Sequence, residues 1–223
     1  MSEGLRLGVV DDHPAILRGI LSILLELCPE ITETFTTSTV AALLCAQRSL
    51  DVVVLDVRLA DGSDPAANVA AVVEAHLPVL LYTQEQRRGV LARCFRAGAL
   101  GVVDKSEHPS VLADAIRVVA KGDPYLSSGW AAAVEDAEDW PVPDLTPRES
   151  EALGLYATGL PLKSVARRMR VSEDTVKEYL DRVRRKYTRV GRPAYTKVDL
   201  YQRAVEDGYL PPPGEGLPTD PVP

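Results

Sequence analysis

Between Leu5 and Lys121 short apolar runs alternate with longer amphipathic ones, five times in succession, and nothing else in the sequence constrains the fold as strongly. LRLGVV (5–10) is the first apolar run. Residues 14–27 then place Leu17, Ile20, Leu21, Leu24 and Leu27 at helical spacing. Ile31–Phe35 is a weak strand, and 38–48 a helix opened by Ser38. The run inside DVVVLD (51–56) is continuously apolar, as a strand buried on both faces requires. Residues 65–76 follow as helix, PVLLYT (78–83) as strand, 85–97 as helix ending at Gly98, ALGVV (99–103) as strand, and 109–121 as helix stopped by Gly122. Strands alternating with helices imply a parallel sheet covered by helices on both faces. About 120 residues suffice to bury a real core.

The pattern breaks at 122–144, where GDP, SSG and PVP surround the acidic cluster Glu135, Asp136, Glu138 and Asp139. This composition predicts a linker, with a short helix around 128–137. An all-helical stretch, 145–210, follows, with helices at about 147–157, 162–169, 173–187 and 195–207. Thr146, Pro147 and Glu149 form a helix start: N-cap, first-position Pro, and an acid in the first turn. The last segment, 211–223, carries too much Pro and Gly to fold and is expected to be a disordered tail.

Charge divides along the same line. Residues 1–144 hold 11 bases and 21 acids, net −10; residues 145–210 hold 14 bases and 9 acids, net +5; the tail adds two acids, giving −7. An acidic region joined to a basic one implies domains with different partners, or else two solvated faces of one fold. No apolar run is long enough to span a membrane. The Asp11–Asp12 pair comes too early to leave room for the apolar part of a signal peptide. Cys28, Cys45 and Cys94 are odd in number and lack CxxC spacing, which argues against disulfides or zinc and for a reducing, cytoplasmic location.

In open parallel sheets ligands bind beyond the carboxyl ends of the strands. Asp11 and Asp12 follow the first strand, Asp56 ends the third, Thr83 ends the fourth, and Lys105 lies just past the fifth. Three clustered carboxylates repel one another without a cation, and an oxygen-only site suits Mg²⁺. A carboxylate held beside Mg²⁺ and a Lys can attack phosphorus while both cations neutralise the transferring group. Asp11 and Asp12 can also simply cap the helix near Pro14. Capping does not explain Asp56, Thr83 and Lys105.

VVDDHP (9–14), VVVLDVRLADGS (52–63), LLYT (80–83) and GALGVVDKS (98–106) resemble the receiver domain of bacterial two-component response regulators, over residues 5–121. The resemblance implies a five-stranded, doubly wound, flavodoxin-like α/β domain over 1–121. It makes Asp56 the phosphoacceptor, Asp12 a direct Mg²⁺ ligand, Asp11 a ligand through water, and the Arg58 carbonyl a further ligand. Thr83 becomes the switch hydroxyl and Lys105 the phosphate partner. One position departs: Val102 stands where this family usually carries Tyr or Phe. Either activation travels through Thr83 and the loop before the fourth helix, or the receiver is partly uncoupled from phosphorylation.

In the basic region, LKSVARRM and EDTVKEYLDRVRRKY flank the short turn RVSED. Val176, Leu180, Val183 and Tyr187 share one face of the second helix, and Lys177, Glu178, Asp181, Arg182, Arg184 and Arg185 the other. By spacing alone this fits a helix-turn-helix or an ordinary amphipathic helix. The wider string LTPRESEAL…TVKEYLDRVRRKY (145–187) resembles the LuxR/FixJ-type helix-turn-helix domain, in the domain order of the NarL subfamily. That implies an all-α DNA-binding domain over 145–210, recognition helix 173–187, DNA contacts from Thr175 and Lys177, and dimer contacts from 195–207. Glu178 and Asp181 are unusual on such a face. They either accept from cytosine N4 or pair with Arg182 or Arg185 on their own helix; Arg182 joins the candidate DNA contacts.

The expectation is therefore a cytoplasmic response regulator and transcription factor, not an enzyme. A cognate histidine kinase phosphorylates it on Asp56 with Mg²⁺. It then binds double-stranded promoter DNA as a homodimer, with no membrane partner. The acidic receiver surface gives a motive for inhibition, by occupying the basic one. One rival is a phosphorylation-independent DNA-binding regulator whose receiver is an interaction or ligand-sensing module. A phosphatase-like enzyme lacks a substrate-binding insertion, and a pure scaffold leaves the TVK helix unexplained.

Overall fold

The computed structural model describes residues 4–126 and 140–212. The chain divides into two compact units, with the main break between Glu138 and Asp139. The expected helix around 128–137 and the tail from 213 onward lie outside the described residues.

The first unit is a parallel α/β sheet. Its strands are β1 (Leu5–Val10), β2 (Ile31–Thr37), β3 (Val52–Leu55), β4 (Val79–Thr83), β5 (Gly101–Asp104) and β6 (Tyr125–Leu126), in the order β2-β1-β3-β4-β5-β6. Five strands are expected from the sequence; the sixth is two residues long and pairs Gly101 with Tyr125 and Val102 with Leu126. Two residues carry no readable periodicity. The helices are α1 (Pro14–Leu27), α2 (Val40–Cys45), α3 (Pro65–Glu74), α4 (Arg88–Arg96) and α5 (Pro109–Val119). Helix α2 is capped by Thr39, whose Oγ1 accepts from Ala42 N, and not by Ser38.

Strand side chains alternate between two faces. Leu7, Val9, Val52, Val54, Leu80 and Val103 pack beneath α1 and α5, against Ile20, Leu24, Leu112 and Ile116. The other face receives α2 and α3. There a Cβ on Gly8 would meet Leu50, Leu43 and Val53 side chains, so a glycine is what lets β1 pack closely. Buried on both faces, β3 is apolar throughout. Because every strand runs the same way, Asp11, Asp56, Thr83 and Lys105 reach one edge of the sheet. Cys28, Cys45 and Cys94 are free thiols, and burial pushes the Cys94 thiol up to about 12.

The second unit is all-helical: α6 (Pro147–Ala157), α7 (Leu162–Met169), α8 (Glu173–Arg189) and α9 (Lys197–Glu206). Thr146 and Glu149 cap α6 reciprocally, Thr146 N donating to Glu149 Oε2 at 2.8 Å. Lys186 Nζ donates to the same carboxylate at 2.7 Å. The turn between α7 and α8 is closed by Arg170 at φ 57, a left-handed conformation without glycine. Ser172 Oγ then accepts from Thr175 N to start α8. Val176, Leu180, Val183 and Tyr187 are all buried, as their spacing requires. Val176 and Leu180 pack with α6 and α7, Val183 and Tyr187 with α9.

A polar knot closes this unit. Asp207 is fully buried and accepts from Tyr187 Oη at 2.8 Å, Arg192 Nη1 at 2.9 Å and Trp140 Nε1 at 3.2 Å. The Arg192 guanidinium lies 4.7 Å from the Trp140 ring centre and 5.7 Å from that of Tyr187. A buried carboxylate is tolerable only when its lone pairs are met in this way. Burial and the Asp207 charge push the Tyr187 phenol above its ordinary range.

Candidate functional site

The strand-end residues meet as a small, mostly buried charge cluster. Backbone bonds set it: Asp56 N donates to Val10 O at 2.8 Å, and Lys105 N to Thr83 O at 3.1 Å. Lys105 Nζ then donates to Asp11 Oδ2 at 2.7 Å and to Asp56 Oδ2 at 2.5 Å. The Arg58 backbone N–H donates to Asp56 Oδ1 at 3.2 Å. Asp12 Oδ2 accepts from Ala60 N at 2.9 Å, which ties the loop after β1 to the loop after β3. Asp11, Asp12, Asp56 and Lys105 are thus brought together, and Thr83 ends the adjoining strand.

Burial raises the Asp56 carboxyl above its ordinary range, against the opposing pull of the Lys105 bond and charge. Burial also acts to lower Lys105, but its bonds to Asp11 and Asp56 outweigh it and hold the ammonium above the usual lysine range. Lys105 is therefore a fixed cation over two buried carboxylates.

The residues fit a hard divalent cation. Donor atoms of Asp11, Asp12, His13 and Asp56 lie within 4.8 Å of one another. Asp12 Oδ1 is buried and accepts no hydrogen bond, although His13 Nδ1 lies 3.0 Å away. A bound cation would satisfy such a buried carboxylate oxygen. His13 is not among the residues expected from the sequence. It directly follows the acidic pair, so the signal was its position in VVDDHP. As N-cap of α1 it makes no side-chain cap bond, and its N–H donates to Asp11 Oδ1 at 2.8 Å. Neither acid of the pair acts as a side-chain cap of that helix.

Thr83 is almost fully buried, with Oγ1 accepting from Glu85 N at 3.1 Å. That bond ties the hydroxyl to the loop before α4. Val102 is fully buried opposite Leu81. An aromatic ring from β4 adjoins the cluster: Lys105 Nζ lies 5.9 Å from the Tyr82 ring centre, and Tyr82 faces the core under α1 and α5.

In the second unit all five candidate DNA-contacting residues lie on α8. Thr175 is half-buried, its Oγ1 2.9 Å from Ser172 Oγ. Lys177 Nζ donates to Asp174 Oδ1 at 2.9 Å, Arg182 Nη2 to Glu178 Oε2 at 3.2 Å, and Arg184 Nη1 to Asp181 Oδ1 at 3.2 Å. The Lys177 ion pair holds Asp174 below and Lys177 above their ordinary ranges. Arg182 also lies over the Tyr179 ring, 5.5 Å from its centre.

Each of the two units resembles a known family. Residues 7–117 match the family described as the response regulator receiver domain. Residues 143–192 match bacterial regulatory proteins of the luxR family, a segment that ends before α9. A nitrate/nitrite response regulator homolog of Haemophilus influenzae is 30% identical over 202 residues, covering 88% of this chain and 96% of the relative. The nitrate/nitrite response regulator NarP of Escherichia coli is 31% identical, covering 89% and 95%. The structure of RcsB from Salmonella enterica, bound to a promoter with a phosphomimetic, shares the fold at TM-score 0.60 and 20% identity, covering 90% of this chain and 98% of that one. No helix among the described residues is long and apolar enough to cross a membrane. With its receiver domain followed by a LuxR-type helix-turn-helix DNA-binding domain, the chain belongs to the NarL/FixJ family of response regulators, regulators of transcription.

Proposed function

We propose that this response regulator is switched by phosphorylation of Asp56 by a cognate histidine kinase, in the cytoplasm, and then binds double-stranded promoter DNA as a dimer, acting as a regulator and not an enzyme. The observation that carries this reading is the Lys105 ammonium bridging two buried carboxylates beside the orphaned Asp12 oxygen. Asp12, Asp56 and the Arg58 carbonyl would hold Mg²⁺, with Asp11 acting through water. The ion, when bound, neutralises charge on the transferring phosphoryl group. The Asp56 carboxylate attacks phosphorus, the phosphorus–nitrogen bond to the kinase histidine breaks, and an acyl phosphate forms. Lys105 exchanges its bond to Asp56 for a phosphoryl oxygen. Thr83 gives up the Glu85 N–H and turns its hydroxyl to another phosphoryl oxygen, which shifts the loop before α4.

On DNA, α8 enters the major groove, and a dimer presents two such helices to half-sites about one helical turn apart. Thr175 and Lys177 face the groove. Glu178 leaves Arg182 and accepts from cytosine N4, so Glu178→Ala relaxes preference at one base position. Uniform tightening on every sequence would refute that role.

The decisive experiment is analytical ultracentrifugation with Mg²⁺ alone and with Mg²⁺ plus beryllofluoride, which on an Asp stands in for its phosphoryl group. Asp56→Asn is the control. A monomer-to-dimer shift confined to the native protein supports the reading. No shift favours a phosphorylation-independent regulator, for which the fully buried Val102 is the motive; Asp56→Asn then binds DNA as the native protein does.

A further inference from the structure

We infer that Asp174, Glu178 and Asp181 form a selectivity filter on α8, keeping three of its cations from DNA phosphates until the right base sequence releases them. The inference rests on the DNA-binding reading and adds to it the means by which random DNA is rejected.

Charge arithmetic is the first support. From Glu173 to Leu180 there is one base, Lys177, against the acids Glu173, Asp174 and Glu178, net −2; from Asp181 to Arg189 there are five bases against Asp181, net +4. The N-terminal residues of a recognition helix are those that reach base edges. The half of α8 that would approach the bases is thus net acidic, in front of a polyanion. The second support is pairing. Asp174, Glu178 and Asp181 each hold a cation three or four residues along, at 2.9, 3.2 and 3.2 Å. The third is the lack of a structural duty for Glu178 and Asp181, which lie beyond the first turn of α8 where Asp174 serves the helix N-terminus. All three acids are exposed, Ser172 supplies the cap of α8, and its buried face is Val176, Leu180, Val183 and Tyr187. Exposed pairs on a helix add little stability, so folding does not account for the pairs that Glu178 and Asp181 make.

The physical consequence is an exchange. To reach a phosphate, Lys177, Arg182 or Arg184 must leave its carboxylate, and that carboxylate then faces the DNA unpaired. On random sequence the repulsion stands. On a sequence that sets a cytosine N4 or adenine N6 amino group on the strand and at the step that each carboxylate faces, the freed carboxylate accepts from that group, and every partner is replaced. Rejecting wrong partners by uncompensated charge is a general route to specificity.

The test uses the full chain and the triple variant D174N/E178Q/D181N. Each is titrated with a mixed-sequence duplex, and with a duplex recovered by in vitro selection on the native protein, across a salt series. The variant is expected to bind the mixed duplex about tenfold tighter or more. Its salt slope should steepen by as much as about 3, near 0.9 for each further phosphate that a released cation neutralises. The selected duplex benefits less, so the ratio of selected to mixed affinity falls, by up to about tenfold where the selected duplex gains nothing. Unchanged slope and unchanged affinity for the mixed duplex overturn the inference, as does equal tightening on both duplexes. The single variant E178Q gives a milder form of the same shift, should the triple variant fold poorly. If neither protein binds any duplex at low salt, the DNA-binding reading falls, and the inference with it.

Discussion

The receiver cluster and helix α8 hold opposite charges together in opposite ways. In the receiver one ammonium is shared by two carboxylates, and the three side chains are all less than a tenth exposed. On α8 three separate pairs lie at the surface, with Asp174 86% and Glu178 67% exposed and only Arg184 partly buried. A buried pair is costly to break, because removing one partner strands an unsolvated charge. An exposed pair is nearly free to break, because water and salt replace the partner. The first arrangement suits a switch with discrete states. The second suits a surface that must exchange partners often.

That difference is broken most directly at Lys105. Lys105→Met leaves Asp11 and Asp56 buried without their cation, at an expected cost of about 3–5 kcal/mol in receiver stability. Thermal unfolding with and without Mg²⁺ checks it. Added Mg²⁺ should recover more stability in the variant than in the native protein, since the ion replaces the lost charge. Next in size is Val102→Tyr. Val102 is fully buried opposite Leu81, so a ring there overpacks the sheet and costs about 1–3 kcal/mol. Denaturant unfolding that left the variant as stable as the native chain would show a space for the aromatic that this fold does not display.

The same contrast explains what the sequence made legible. Buried elements are written by periodicity: β3, α1 and the inner face of α8 lie where their apolar spacing puts them. Strand-end chemistry was legible because parallel strands leave one edge for Asp11, Asp12, Asp56 and Lys105. Local competition was not. Ser38 and Thr39 are adjacent hydroxyls, and only backbone geometry decides that Thr39 caps α2. Strand β6 exists through its pairing with β5 and has no pattern of its own. On α8 the pairing of Glu178 with Arg182 was among the open alternatives. That Asp181 takes Arg184 was not, because partners three and four residues away are equivalent until rotamers are set. The Arg192–Asp207 knot joins residues that no motif connects.

Glu149 is buried, while its partner Lys186 is about a quarter exposed. Burial acts to raise the Glu149 carboxyl, but the Lys186 bond and the Thr146 N–H outweigh it and hold it below the ordinary glutamate range. A carboxyl depressed on folding adds stability that is complete above the unfolded value and is lost as pH falls through the folded one. Glu149→Gln keeps the bond to Thr146 N and loses the charge. It should cost about 1 kcal/mol near neutral pH. The difference from the native protein should close in the acid range, below the ordinary glutamate value. Urea unfolding of the second unit at several pH values reads this directly, and a difference that grew toward acid would contradict it.

The smallest effect on stability carries the largest meaning for function. A double-mutant cycle on Glu178→Ala and Arg182→Ala should return a coupling of only about 0.3–0.5 kcal/mol, shrinking further with added salt. Both side chains are nearly half exposed or more, and they sit four residues apart on a helix whose fold is secured on its other face. Screening acts fully on such a pair and only weakly on the mostly buried Lys105 bridge. Repeating the cycle by thermal unfolding at low and high salt therefore reads how far this pair is screened. A coupling above about 1 kcal/mol that salt did not reduce would mean that Glu178 and Arg182 are locked and unavailable for exchange. A weak, salt-sensitive coupling is what a surface needs if it is to trade its own carboxylates for the edges of bases.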